Sequence, residues 1–288
     1  MAIPEPVSHH DLADAIEAIV NAVTNTAEAS GWDFIPDSPA VTDWSLNELP
    51  GEWGPYPLQD SYRTGLLLWW YQSDAALALV DAIRMDRPFA YVSLARALAE
   101  ASARSWYLLE LGIDATERIR RLMNDRLFAM YERHTMWHDE DFMAQLLERD
   151  AAIVDAIAQE SQTRCLHYVA EKRGPRVYVP ARIGEARPKS KYLISMAIKD
   201  DRAAAVFYRA SSGLMHAALY SADGRLHFRP DGRMAVRGLD ADRVVADITA
   251  AVVCMLVSVA ATVSQTGWNG DRVQEAMDSA HEIWGRVE

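Results

Sequence analysis

The chain has 288 residues, is 50% apolar and 9% aromatic, and carries a formal net charge of −12. That composition supports a large core and excludes a disordered or fibrous chain. Its two cysteines, Cys165 and Cys254, lie in different predicted helices, which excludes a disulfide or zinc–cysteine framework and fits a reducing compartment.

Met1–Pro6 has neither the basic region nor the apolar core of a signal peptide, so a cytoplasmic location is expected. Asp11–Ser30 is alanine-rich with helical periodicity, and Ser8 is placed to cap it. Gly31–Pro57 reads as a loop holding Trp32, Trp44 and Trp53. Its tryptophans point to an arm that wraps the body, because each indole buries a large apolar area. Arg63–Arg84, Phe89–Leu111, Ala115–Trp137 and Asp141–Arg173 read as strong helices, with Asp114 and Glu117 opening the third. Gly174–Lys191 is broken by glycines and prolines. Asp200 or Asp201 caps a helix running to about Ser221, and Arg225–Arg237 alternates about Pro-Asp-Gly as a β-hairpin. Asp240 caps a helix to Gln265 whose Ile248–Val263 run is too short to span a bilayer, so it reads as a buried central helix and no membrane contact is expected. Asn269 or Asp271 opens a last helix. The predicted fold is an all-α multi-helix bundle with one short hairpin near 225–237. Residues 1–62 form an acidic arm and 63–288 the bundle domain.

Charge is unevenly placed. Residues 1–62 hold eleven of the 41 acids and no Lys or Arg. Lys172–Lys199 holds eight bases (Lys172, Arg173, Arg176, Arg182, Arg187, Lys189, Lys191 and Lys199) against the single acid Glu185. Such a strip attracts phosphates, or stands as a solvated loop that balances the acidic arm.

The strip precedes Arg209-Ala-Ser-Ser-Gly-Leu-Met-His216. Seven residues at 100° each bring Arg209 and His216 within about 20° of one another on a helix. Ser212 lies between them, and Tyr220 follows one turn on. A cation, a hydroxyl and an imidazole on one stripe suit a phosphodiester. An Arg and a His separated by six residues on one helix resembles the signature of HEPN-type ribonucleases, helical proteins of bacterial toxin and phage-defence systems. The residue after the Arg is Ala210, where family members usually have a polar one. The resemblance implies a metal-independent endoribonuclease, with His216 as general base or acid, Arg209 stabilising the phosphorane and Ser212 positioning a phosphate oxygen. It also implies a homodimer and an antitoxin-like protein partner. Lys189, Lys191, Tyr208 and Tyr220 are the expected binding residues for RNA. No cofactor and no metal are expected. The competing reading is a non-catalytic helical protein that binds a partner or small ligand, with Arg209 and His216 structural.

Three other constellations read as structural. Arg96, Glu100 and Arg104 space as an intrahelical ladder. Arg118, Arg120 and Arg121, with Asn124 and Asp125, read as a solvated face. His134 and His138 have the spacing of a metal pair, but Thr135 stands where a HEXXH enzyme has its Glu. The aromatics Tyr62, Trp69, Trp70, Tyr71, Trp106 and Tyr107 read as core rather than as a platform for bases.

Overall fold

The structure, a computed structural model, describes residues 7–136, 140–170, 172–174, 177–179, 181–215, 226–228, 234–236, 239 and 241–286. The fold is all-α, with ten helices among the described residues. The expected hairpin is present: β5 (Leu226–Phe228) pairs antiparallel with β6 (Met234–Val236), His227 opposite Ala235.

The chain divides into two compact units. The first comprises residues 1–41, 64–109 and 189–288; the second comprises 42–63 and 110–188. The acidic 1–62 segment therefore contributes to both.

In the first unit, α1 (His9–Ala29) opens on a capping box. The Ser8 hydroxyl accepts from the Asp11 N–H, and the Asp11 carboxylate accepts from the Ser8 N–H at 2.7 Å. Leu12, Ile16, Ile19, Val20 and Val23 form its buried stripe. Each such side chain contributes roughly 1.5–3 kcal/mol relative to exposure. The helix packs against α10 (Asp271–Trp284), the predicted last helix.

Gly31–Pro57 is not all loop. It contains α2 (Pro39–Asn47), with Pro39 at the first helical position and the Ser38 hydroxyl accepting from the Val41 N–H. The next helices are α3 (Pro57–Arg84) and α4 (Ala90–Leu109).

The predicted central helix is α9 (Ala241–Thr266), which packs on α4. Tyr91 bonds Asp247, and Gln265 Nε2 donates to the Leu109 carbonyl, both at a sequence separation of 156. Equal separations at two levels mean that α4 and α9 run parallel. At that offset Ala95 is level with Ala251 and Ser102 with Ser258, all four buried, so the two backbones approach across small side chains. Among the described residues α9 alone is long and apolar enough to cross a membrane, and 50% of that window is buried within the protein. Burial against α4 gives those apolar residues a place in a protein core.

Two further helices of the first unit precede α9 in the chain. α7 (Ser190–Ile198) was not legible in the basic segment. It ends at Lys199, whose φ of +55° breaks the helix. α8 (Asp201–Met215) then starts afresh, with the Asp200 carboxylate accepting from the Arg202 and Ala203 N–H groups at 2.9 Å.

The second unit contains α5 (Ala115–Met136) and α6 (Glu140–Thr163). The Asp114 carboxylate caps α5 through the Glu117 N–H at 2.8 Å, as expected. The predicted continuation of α6 to Arg173 is not found. The helix stops at Thr163, where Cys165 adopts φ +57° and the Leu166 N–H returns to the Ser161 carbonyl at 2.7 Å. Beyond it β1 (Tyr168–Val169) pairs with β4 (Arg182–Ile183), and β2 (Lys172–Gly174) with β3 (Val177–Val179). The valines and tyrosines of β1 and β3 favour extended chain over helix.

One core position of α3 breaks the apolar rule. Gln72 is fully buried, and neither amide atom has a hydrogen-bond partner. An amide desolvated without compensation costs about 1–3 kcal/mol on protein mutational scales. Gln72→Met keeps the volume and removes the polar group, so it is expected to stabilise by about 1–2 kcal/mol. A thermal melt monitored by circular dichroism checks this; a lower Tm for the variant contradicts it.

Candidate functional site

The predicted stripe lies on α8, whose buried face is Ala204, Phe207 and Ser211. The Ser211 hydroxyl turns back to the Phe207 carbonyl at 2.8 Å and is unavailable to a ligand. Arg209 points the other way. It is exposed and has no ion pair among the described residues. Ser212 is half-buried beside it. His216 and Tyr220 lie outside the described residues.

Tyr208 is tied to α4. Its hydroxyl accepts from Arg96 Nη2 at 2.7 Å, and the Arg96 guanidinium sits 4.2 Å from its ring centroid. Arg96 also pairs with Glu100 at 2.9 Å, so the first half of the predicted ladder exists and reaches across to the helix that bears Arg209. This contact fixes the rotation of α8 about its axis. Lys189 is exposed at the start of α7, and Lys191 is half-buried with Nζ 5.4 Å from the Tyr192 ring.

Arg202 was missed. It is exposed, seven residues before Arg209, and therefore on the same stripe. The spacing that joined Arg209 to His216 also applies to Arg202, about 10 Å away along the axis at 1.5 Å per residue. α8 also borders a groove of about 720 Å³ lined by Val92, Arg202, Val206, Phe207, Ala250 and Val253, among others, so Arg202 stands both on the stripe and at this groove. That groove is mostly apolar, and neither Arg209 nor Ser212 lines it.

The arginines of α5 contradict their expectation. Arg118, Arg121, Asn124 and Asp125 are buried, at 2%, 7%, 2% and 3% exposure. Each finds a specific partner, which makes burial tolerable. Arg121 bonds Glu110 at 2.6 Å and Glu117 at 2.8 Å. Asn124 brackets Ile183: its Oδ1 accepts from the Ile183 N–H at 2.7 Å, and its Nδ2 donates to the Ile183 carbonyl at 3.0 Å. Asp125 pairs with Arg187 at 2.8 Å, and that guanidinium rests 4.6 Å from the Phe128 ring centroid. One member of the basic strip is thus neutralised within the second unit. Glu117 is partly buried, which opposes ionisation, but Arg120 and Arg121 outweigh that and hold its carboxyl below the usual range.

Tyr62, Asp43 and Arg118 form the deepest part of this network. The Tyr62 hydroxyl donates to Asp43 Oδ2 at 2.7 Å, Arg118 Nε lies 4.0 Å from the same oxygen, and the guanidinium is 4.4 Å from the Tyr62 ring centroid. Arg118 also donates to the Glu110 carbonyl at 3.0 Å. Burial pushes the Tyr62 phenol well above its usual 10.0 and pulls the Arg118 guanidinium down from its own. A raised folded-state phenol pKa contributes stability that is complete below pH 10 and is lost as pH rises beyond it. One tyrosine should therefore stay un-ionised, by tyrosinate absorbance, until alkaline unfolding. Tyr62→Phe should shrink the delayed step by one tyrosine; an unchanged titration would contradict the assignment.

Of the three arm tryptophans, Trp32 and Trp53 reach residues beyond 62, whereas Trp44 meets Tyr62 within the acidic segment. Trp32 stacks on Trp70 at 4.2 Å, Trp44 meets the edge of Tyr62 at 5.8 Å, and Trp53 is 4% exposed with its indole N–H on the Ile157 carbonyl at 3.3 Å. Trp69 and Tyr62 are core, whereas Trp70 and Tyr71 are 49% and 70% exposed. No group of three or more metal-ligating side chains occurs among the described residues; His138 lies outside them.

Comparison with known protein families, curated proteins and solved structures finds no match.

Proposed function

We propose that this chain is a cytoplasmic, HEPN-like endoribonuclease that needs no metal and acts as a homodimer in a toxin or defence system, held in check by a protein partner. The observation that supports this most is Arg209: exposed, free of ion pairs among the described residues, and on one stripe with Arg202. Many other arginines of the chain are neutralised by acids, whereas this stripe leaves its charge for an external anion. His216 continues the stripe by spacing. The reaction moves the RNA 2′-hydroxyl proton to the imidazole, and the 2′-oxygen attacks the adjacent phosphorus. The 5′-oxygen then leaves, taking the proton back from the imidazolium, and a 2′,3′-cyclic phosphate remains. Arg209 stabilises the added charge on the phosphorane, and Ser212 positions a non-bridging oxygen.

The apolar groove beside α8, which Arg202 also lines, favours a second reading, a non-catalytic protein that binds an apolar ligand or partner there. Incubation of the full-length protein with mixed RNA in EDTA separates the two. Cleavage by wild type that is lost in Arg209→Ala and His216→Ala supports the enzyme. Equal cleavage by all three, or none by any, counts against it.

A further inference from the structure

A different groove, of about 550 Å³, lies within the second unit and is lined by residues of α5, α6 and the turn at Glu52–Gly54. Its turn wall is firmly held. Gly51 and Gly54 bond each other through their backbones at 3.1 and 2.9 Å. The Glu52 N–H donates to Glu160 at 2.9 Å, and Arg164 donates to the Leu49 and Pro50 carbonyls at 3.1 Å. A Cβ at Gly51 would stand 2.5 Å from the Glu160 carboxylate, so a larger residue here would have to displace the carboxylate that holds the Glu52 N–H. The floor is apolar, with Met130, Ile153 and Ile157.

Three arginines, Arg126, Arg133 and Arg149, line the same groove. Arg126 pairs with Asp60 at 3.1 Å. Arg133 bonds the buried Asp150 through Nη2 at 2.8 Å, but its Nε is buried with no hydrogen-bond partner. Arg149 is exposed and has no ion pair among the described residues. Asp150 is already engaged by Arg133, and the second acid, Glu52, is exposed. The groove thus presents the Arg133 guanidinium, whose side chain is 43% exposed, and the free Arg149 guanidinium beside an apolar floor. That pairing fits a planar anion with a hydrophobic body, because guanidinium donors match a carboxylate or sulfonate in geometry as well as charge.

We propose that the groove between α5 and α6 binds a small organic acid, its anionic group on Arg133 and Arg149 and its apolar body on Met130, Ile153 and the Trp53 turn. The volume is that of an ordinary small-molecule site. None of these residues belongs to the α8 stripe, so the site stands whether or not the chain cleaves RNA.

Anilinonaphthalene sulfonate, a fluorescent aryl sulfonate, is titrated into the full-length protein. Saturable fluorescence enhancement is expected. Reversing the exposed charge in Arg149→Glu should weaken the affinity about tenfold or more, as expected when a charged hydrogen bond is lost. Ile153→Asp, which puts an acid on the floor, should do the same, and circular dichroism should show both variants folded. Dodecanoate should displace the dye and dodecyltrimethylammonium should not. Val206→Glu, in the groove beside α8, should leave binding unchanged. Absence of enhancement, wild-type affinity in both groove variants, equal displacement by the cation, or loss of binding in Val206→Glu alone would each overturn the proposal.

Discussion

Asp43→Ala is expected to destabilise the second unit by about 2 kcal/mol. Removing one partner of a fully buried ion pair costs roughly 3–5 kcal/mol, because the other charge stays desolvated. Here Arg118 is 2% exposed, but Asp43 is 22% exposed and 4.0 Å away, so the loss falls below that range. The guanidinium also keeps the Glu110 carbonyl and the Tyr62 ring face. Asp43→Asn retains an acceptor for the Tyr62 hydroxyl and should lose less. Asp43→Leu combined with Arg118→Met removes both charges and should recover most of the loss, since apolar replacements of buried pairs are often neutral. The two units need not unfold in one step, so a single unfolding curve is a poor measure. Hydrogen exchange of the α5 amides is the suitable readout. Protection of α5 in Asp43→Ala within 0.5 kcal/mol of wild type, on the scale usual for surface changes, would mean that the pair is a bystander.

His216→Ala is expected to lower RNA cleavage about 10²–10⁴-fold, the usual contribution of positioned acid–base catalysis. Arg209→Ala should lower it by a similar factor, because the guanidinium acts on charge that develops only in the transition state. Arg202→Ala should behave differently. Its place on the same exposed stripe suits a phosphate contact rather than chemistry. It should leave the rate at saturating RNA nearly unchanged and reduce the slope of log K against log salt by about one. Tyr208→Phe removes the hydroxyl that receives Arg96 at 2.7 Å and tests whether the rotation of α8 matters. A loss in kcat with little change in KM would place Tyr208 among the positioning residues. If Arg202→Ala and Arg209→Ala lose activity equally, the division of roles along the stripe is wrong.

Elements set by local chemistry were legible in the chain. The Ser8–Asp11 box, the Asp114 cap and the Pro-Asp-Gly hairpin are each written in a few adjacent residues, and each is found. The long apolar run of α9 identified a central helix, because sixteen residues of small and branched side chains leave no polar face to show solvent. The end of α6 was not legible, because it depends on a left-handed Cys165, and cysteine has no particular preference for that conformation. Nor was α7, whose short amphipathic run begins inside a segment dominated by proline and charge.

The site divides in the same way. Angular spacing along one helix requires only the sequence, so the stripe through Arg209, and Arg202 with it, follows from counting residues. What the α5 arginines do could not be counted out. A run of Arg118, Arg120 and Arg121 reads as solvated until Asp43, Glu110, Ile183 and Glu185 are brought to it from elsewhere in the chain. The same holds for the groove at Arg133 and Arg149, whose apolar floor and glycine turn are far apart in sequence. Helix starts, periodicity and the order of residues on a face are properties of neighbours, and the chain alone determined them. Burial of charge depends on partners supplied by distant segments, and only the tertiary structure decided which arginines are neutralised and which remain available to a ligand.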